Sequence, residues 1–185
     1  MNIHEAIHGR RTAHFWTPKK VPTQVVERAL IAAQMAPCHR LSWPWRFTLP
    51  GPETRQKLYQ LGVSLKVQNS GLTASEHLRN KLKERLLHPE LVVVSQVVHA
   101  DPVRREEDYA ACACAIQNLC LSFFADGFHS KWSTGTLTTH SETYQLLQIP
   151  IASQRIVGFI WVGEPSRERK APPRPPLEVV VRKTE

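Results

Sequence analysis

"RIVGFIWVG" (155–163) runs into "EPSRERKAPPRPP" (164–176) and then "LEVVV" (177–181), and the reading of that succession decides the fold. The first run is the strongest strand signal in the chain, rich in β-branched and aromatic residues. The middle run cannot pack as a regular element, because its prolines lack the N–H a helix or ladder needs and favour an extended course. The last run restores a strand pattern. A strand placed after a proline-rich arm need not pair within its own chain. It is free to cross to a second molecule and extend that sheet.

Upstream of this stretch, helix and strand signals interleave. Residues 141–148 read as a helix and 128–132 as a short strand. A long helix is expected over about 106–126, with Tyr109, Ala113, Ile116, Cys120 and Phe123 as its core stripe and Gly127 as its stop. "LVVVSQVV" (91–98) reads as a buried strand. Residues 53–88 carry two charged helices broken near "NSGLTAS", and "PWRFTL" (44–49) is a strand stopped by Pro50-Gly51-Pro52. A helix over 23–35 with Thr23 as N-cap, and a short helix over 2–9 ending at Gly9, complete the pattern. The expectation is an α+β sandwich dimer with a late exchanged strand.

The net charge is +8, which admits nucleic acid, an anionic surface or a phosphorylated ligand. The basic residues are scattered, some beside acids as in "VRREED", and no basic run is interleaved with exposed aromatics, so nucleic acid is not the favoured partner. No run approaches the length of a membrane span and no secretory segment opens the chain, so a soluble, cytoplasmic protein is expected. Cys38, Cys112, Cys114 and Cys120 form no C-x-x-C pair and read as reduced core thiols, with no metal site.

Arg10, Arg11 and Thr12 follow the first short helix. Two guanidinium groups and a hydroxyl suit a phosphate, which arginine binds by paired, charge-assisted hydrogen bonds. The same residues also read as a solvated basic helix end.

Five stretches carry a resemblance: "IHGRRTAHF" (7–15), "AAQMAPCHRLSWPWRF" (32–47), "FFADGFHSKWSTGTL" (123–137), "IVGFIWVGEP" (156–165) and "PPRPPLEVVV" (172–181). In their order and spacing the chain resembles the flavin-dependent nitroreductases, more narrowly the short, minimal type. The resemblance implies a single domain over 1–185, with a mostly antiparallel central sheet flanked by helices. It also implies that residues 164–185 form an arm whose strand is exchanged in a homodimer. It implies FMN at the subunit interface, NADH or NADPH as electron donor, and a nitroaromatic, quinone or related small molecule as acceptor.

It assigns residues in the same way. Arg10, Arg11 and Thr12 would face the FMN phosphate. His14 stands where the family usually has another arginine and would be a weaker phosphate contact. Met35 and His39 would reach the flavin from the other subunit. Trp132, Ser133 and Thr134, in "KWSTG", would pass the ring, and Arg174 matches a basic tail position. Leu41 and Trp43 replace the asparagine and glutamine common in the wider family, so one polar flavin contact is lost and Trp43 is left to stack or fill.

No acid–base pair is expected, because hydride transfer needs no protein nucleophile and the cofactor carries the chemistry. Ping-pong kinetics follow if donor and acceptor share one open face. The alternatives are a non-enzymatic flavin or nucleotide binder of the same fold, and a basic interaction protein with a degraded site.

Overall fold

The computed structural model describes residues 1–71, 73–167 and 170–184. Its centre is a four-stranded sheet of β1 (Trp45–Thr48), β2 (Glu90–Val97), β3 (His129–Ser133) and β4 (Gln154–Gly163), in the order β1-β2-β4-β3. Every pair is antiparallel. The two inner strands are apolar without a break because both their faces are covered. Val92, Val94, Ile160 and Val162 point to one face and Leu91, Val93, Phe159 and Trp161 to the other.

Helices α2 (Thr23–Gln34) and α5 (Pro102–Ala125) cover the first face. Helices α3 (Pro52–Ser70), α6 (Thr136–Thr139) and α7 (Ser141–Leu146) lie over the second, where Leu58, Tyr144 and Leu147 join its core. Helix α4 (Glu76–Leu86) packs against α3. Helix α1 (Ile3–Gly9), closed by an Asn2–Glu5 capping box, packs on α5. A Cβ on Gly9 would stand 2.8 Å from the Phe124 ring, so the lack of a side chain permits that approach.

Several expectations need correction. Pro22, not Thr23, occupies the N-cap position of α2, and its carbonyl accepts from Val25 and Val26 N–H. Helix α5 begins at Pro102, capped by the Asp101 side chain on Val103 N–H, four residues before the expected start. Its buried stripe is Asp108, Ala111, Cys112, Ala115, Ile116, Leu119, Cys120 and Phe123; Tyr109 is exposed and Ala113 half-buried. By length and composition alone α5 could cross a membrane, contrary to the expectation that no run could. That apolar content serves the protein core, against α2 and the sheet. Cys112 and Cys120 are core thiols, Cys38 is half-buried and Cys114 is exposed.

The largest correction concerns 177–181. Leu177–Val180 is one turn of helix, α8, and not a strand. Val181 N–H bonds to the Leu177 carbonyl at 2.9 Å and Val179 N–H to the Pro176 carbonyl at 3.1 Å. With no ladder partner among the described residues the backbone satisfies itself locally, and all of 170–184 is exposed. Of the arm before it, Glu168 and Arg169 lie outside the described residues.

Candidate functional site

Beyond α1 the chain turns along the outer edge of β3. Ala13 N–H donates to the Ser130 carbonyl at 3.3 Å, and Thr12 bridges Ser130 in parallel register. Farther on, Thr17 N–H donates to the Glu164 carbonyl at 3.0 Å and Ser166 N–H to the Phe15 carbonyl at 3.1 Å. The segment is thus fixed between β3 and the exit from β4. It places Arg10, Arg11 and Thr12, all half-buried, beside Ser130 and Lys131. Arg11 Nη1 donates to the Arg10 carbonyl at 2.7 Å, which ties one end of that guanidinium to the backbone.

At the end of β3 the Trp132 indole crosses β4. Its Nε1 donates to the Val157 carbonyl at 3.3 Å. Val157 is the extra residue of a β-bulge, since Val94 pairs with Gly158 but Ser95 pairs with Ile156. Ser133 Oγ accepts from Trp161 Nε1 at 2.9 Å, so its hydroxyl is already engaged in holding the strand end. Gly135 has φ of 137°, a conformation open to glycine, and lets the chain turn sharply into α6.

Lys131 and residues 133–138 form one wall of a cleft of about 370 Å³, with α3 and α4 opposite; Arg10, Arg11, Thr12, His14 and Trp132 do not line it, and Trp132 lies on the other face of β3. Lys131, Ser133 and Thr134 line it from the β3 side, Lys66 and Asn69 from α3, and Arg85 from α4. Phe159 and Trp161 provide apolar lining. No carboxylate lines the cleft among the described residues. Trp16 also lines it; this side chain is 2 % exposed and its indole N–H has no partner among the described residues. A buried donor without an acceptor is uncommon, and here it borders a cationic space. Such a donor set suits an anionic, acceptor-rich planar ligand, and an FMN-type group fits it.

The sequence-predicted residues therefore divide. Ser133 and Thr134 line the cleft; Arg10, Arg11, Thr12 and His14, all half-buried, run along the β3 edge outside its lining, and Trp132 lies on the other face of that strand. Met35 and His39 do not join them. Met35 is exposed just beyond α2, and His39 Nε2 lies 3.7 Å from Glu107 in a short 3-10 turn, His39–Leu41, before β1. β1 and β3 are opposite edges of the sheet, three strand spacings or about 14 Å apart. Trp43 is exposed and meets Trp45 edge-on at 5.8 Å, while Trp45 is core. Arg174 is exposed in the arm. Sequence reasoning missed Lys66, Arg85 and Trp16. Their signal was weak, because charged positions on amphipathic helices read as solvated faces and a lone tryptophan reads as core.

The nitroreductase family profile matches residues 7–164, and the chain belongs to the nitroreductase family. It is 25 % identical over 176 residues to "Putative NAD(P)H nitroreductase YfhC" of Bacillus subtilis (strain 168), covering 95 % of this chain and 90 % of that protein. Among solved structures, the nitroreductase-like family protein from Bacillus cereus superposes with a TM-score of 0.82 at 26 % identity, covering all of this chain and 97 % of that one. The FMN and NADPH-dependent nitroreductase NfnB from sphigopyxis sp. strain HMH shares the fold at a TM-score of 0.80 and 17 % identity, with both chains fully covered.

Proposed function

We propose that this protein is an FMN-dependent oxidoreductase, passing reducing equivalents from NADH or NADPH to a small acceptor such as a nitroaromatic or quinone. When bound, FMN supplies the hydride chemistry, and the protein supplies binding, orientation and charge. The observation that carries this reading is the cleft at the β3 edge, which among the described residues is lined by Arg85, Lys66 and Lys131, by no carboxylate, and by buried Trp16, whose indole N–H has no partner among those residues. Arg10, Arg11 and Thr12, beyond the end of the cleft, would reach the phosphate, and Ser133 and Thr134 would border the ring, with Trp132 backing the strand from its other face. Cationic groups near the ring stabilise the negative charge that reduction adds.

The site is completed by a second copy. Met35 and His39 are exposed near the opposite sheet edge, away from their own cleft, which supports a reading in which they enter a neighbour's. In this arrangement residues 1–185 form one domain, with 164–185 as an arm laid on the partner, and the homodimer works in the cytoplasm. Arg174 would travel with that arm. Donor and acceptor use the same open face in turn, which gives ping-pong kinetics.

The test is the absorption spectrum of the purified protein with and without added FMN. Bound oxidised flavin should bleach with NADH or NADPH under anaerobic conditions and recover on addition of a nitroaromatic. A protein that takes up no FMN, or takes it up and is not reduced, overturns the proposal.

A further inference from the structure

A second groove lies behind the Thr134–Gly135 turn, between α5 and the start of β4. It is lined by Arg105, Glu106 and Tyr109 of α5, by Arg155 of β4, and by Thr138 and Thr139 of α6. Thr134, Gly135 and Thr138 line both this groove and the cationic cleft, so the two spaces adjoin. Arg105 and Arg155 are exposed, and neither makes a salt bridge among the described residues. Glu106 is the only carboxylate among the described lining residues.

The two arginine positions are tied together by one buried side chain. Gln96, 1 % exposed, donates from Nε2 to the Arg105 carbonyl at 2.7 Å. Its Oε1 accepts from Arg155 Nη2 at 3.1 Å. Gln96 and Arg155 are ladder partners just beyond the bulge at Val157. The Arg155 guanidinium also lies over the Tyr109 ring, 5.4 Å from its centroid. Arg155 is therefore oriented in advance, and Arg105 keeps its charge on the facing wall. Buried polar groups are held in this way where a fixed geometry is needed.

We propose that this groove binds the adenosine 2′-phosphate of NADPH and makes the protein prefer NADPH to NADH. A phosphate monoester carries close to two negative charges at neutral pH, which matches two guanidinium groups better than a neutral ribose hydroxyl does. The groove adjoins the proposed flavin cleft at Thr134, Gly135 and Thr138, so a dinucleotide with its nicotinamide at the ring would have its far end within reach of the groove. The inference rests on the reading of the adjoining cleft as the flavin site.

Calorimetry tests it without turnover. Adenosine 2′,5′-bisphosphate should bind the wild-type protein about tenfold or more tightly than 5′-AMP. Arg105→Ala should remove most of that difference with the melting temperature near wild type, and Arg155→Gln, which also gives up the Tyr109 contact and the bond to buried Gln96, should do so with a lower melting temperature. In steady-state assays the same variants should lower the ratio of kcat/KM for NADPH over NADH by a similar factor. Equal affinity for the two nucleotides, or a preference that survives both substitutions, overturns the proposal. If a nitrobenzoate competes for the groove and the bisphosphate does not, the arginines serve an anionic acceptor and the proposal is again wrong. Failure of the flavin reading shows separately, as a protein that neither binds FMN nor is bleached.

Discussion

The Trp132 indole occupies the space that a side chain on Gly158 would need: a Cβ there would collide with Nε1 and stand 2.5 Å from Cδ1. The absence of a side chain at 158 therefore lets Trp132 lie across β4, reach the Val157 carbonyl, and fix the start of the turn that separates cleft from groove. Gly158→Ala should force the indole off its seat. The expected cost is about 1–3 kcal/mol of stability, as for an overpacked core, with weaker FMN binding as the β3 end shifts. Thermal unfolding and FMN titration check both effects. A variant with wild-type stability would show that the strands yield without cost.

Arg11 tests the phosphate side. Its guanidinium is steadied at one end by the Arg10 carbonyl and sits on the β3 edge. Arg11→Ala should weaken FMN binding about tenfold or more, the usual loss for one charge-assisted bond. Arg11→Lys should recover only part of it, because an ammonium lacks the fork. Fluorescence titration of FMN reads both. Unchanged affinity in the alanine variant would remove Arg11 from the site.

The sheet was legible because its inner strands are buried on both faces and therefore read as unbroken apolar runs. Helices α2 and α5 were legible from their periodicity, although Pro22 and Asp101, which fix their starts, were not recognised. Arg10, Arg11 and Thr12 stood out as a motif, and their part in holding a phosphate remains the proposal made above. Lys66 and Arg85 did not, since 18 residues and a helix break separate them and only the packing of α3 on α4 places both on one cleft. Residues 177–181 misled because β-propensity describes a side chain that fits a pleated surface, and the segment meets no such surface in its own chain.

The loop ahead of β1 is tied to α5 by a buried carboxylate. Ser42 Oγ donates to the carboxylate of Asp108, which is 5 % exposed on α5. On either side of Ser42, Arg40, Leu41 and Trp43 have φ of 54°, 51° and 45°, left-handed values that non-glycine residues keep only where the surroundings impose them. Asp108→Ala should cost about 1–3 kcal/mol and increase hydrogen exchange through residues 38–43. Asp108→Asn keeps an acceptor and should cost less. If the loop exchanges at the wild-type rate in the alanine variant, the loop backbone is fixed by other contacts.

Burial pushes the Cys112 thiol up from 9.0 to about 12, with Asp108 and Cys38 adding to the shift. The folded state therefore resists losing this proton while the unfolded state does not. The contribution to stability is complete below about pH 9 and is lost as pH rises toward 12. Cys112→Ala should flatten that part of the alkaline stability profile relative to wild type. In the native protein at pH 8, exposed Cys114 should react with a disulfide reagent well before Cys112. Equal labelling rates would place Cys112 nearer the surface than the core packing allows.

The C-terminal arm offers the last test. Leu177, Val179, Val180 and Val181 are all exposed, next to a proline-rich run that holds them away from their own sheet. Apolar side chains grouped in this way need a cover, and in the homodimer proposed here the second copy provides it. Removing residues 171–185 should leave the sheet and its two cores intact, because no residue from 171 to 184 is buried. It should shift the sedimentation equilibrium toward monomer and release FMN, since Met35 and His39 of a second copy would no longer be delivered to the cleft. Leu177→Glu with Val180→Glu should act in the same direction without shortening the chain. A truncated protein that stays dimeric and retains flavin would show that the exposed faces of α1 and α2 hold the dimer without the arm.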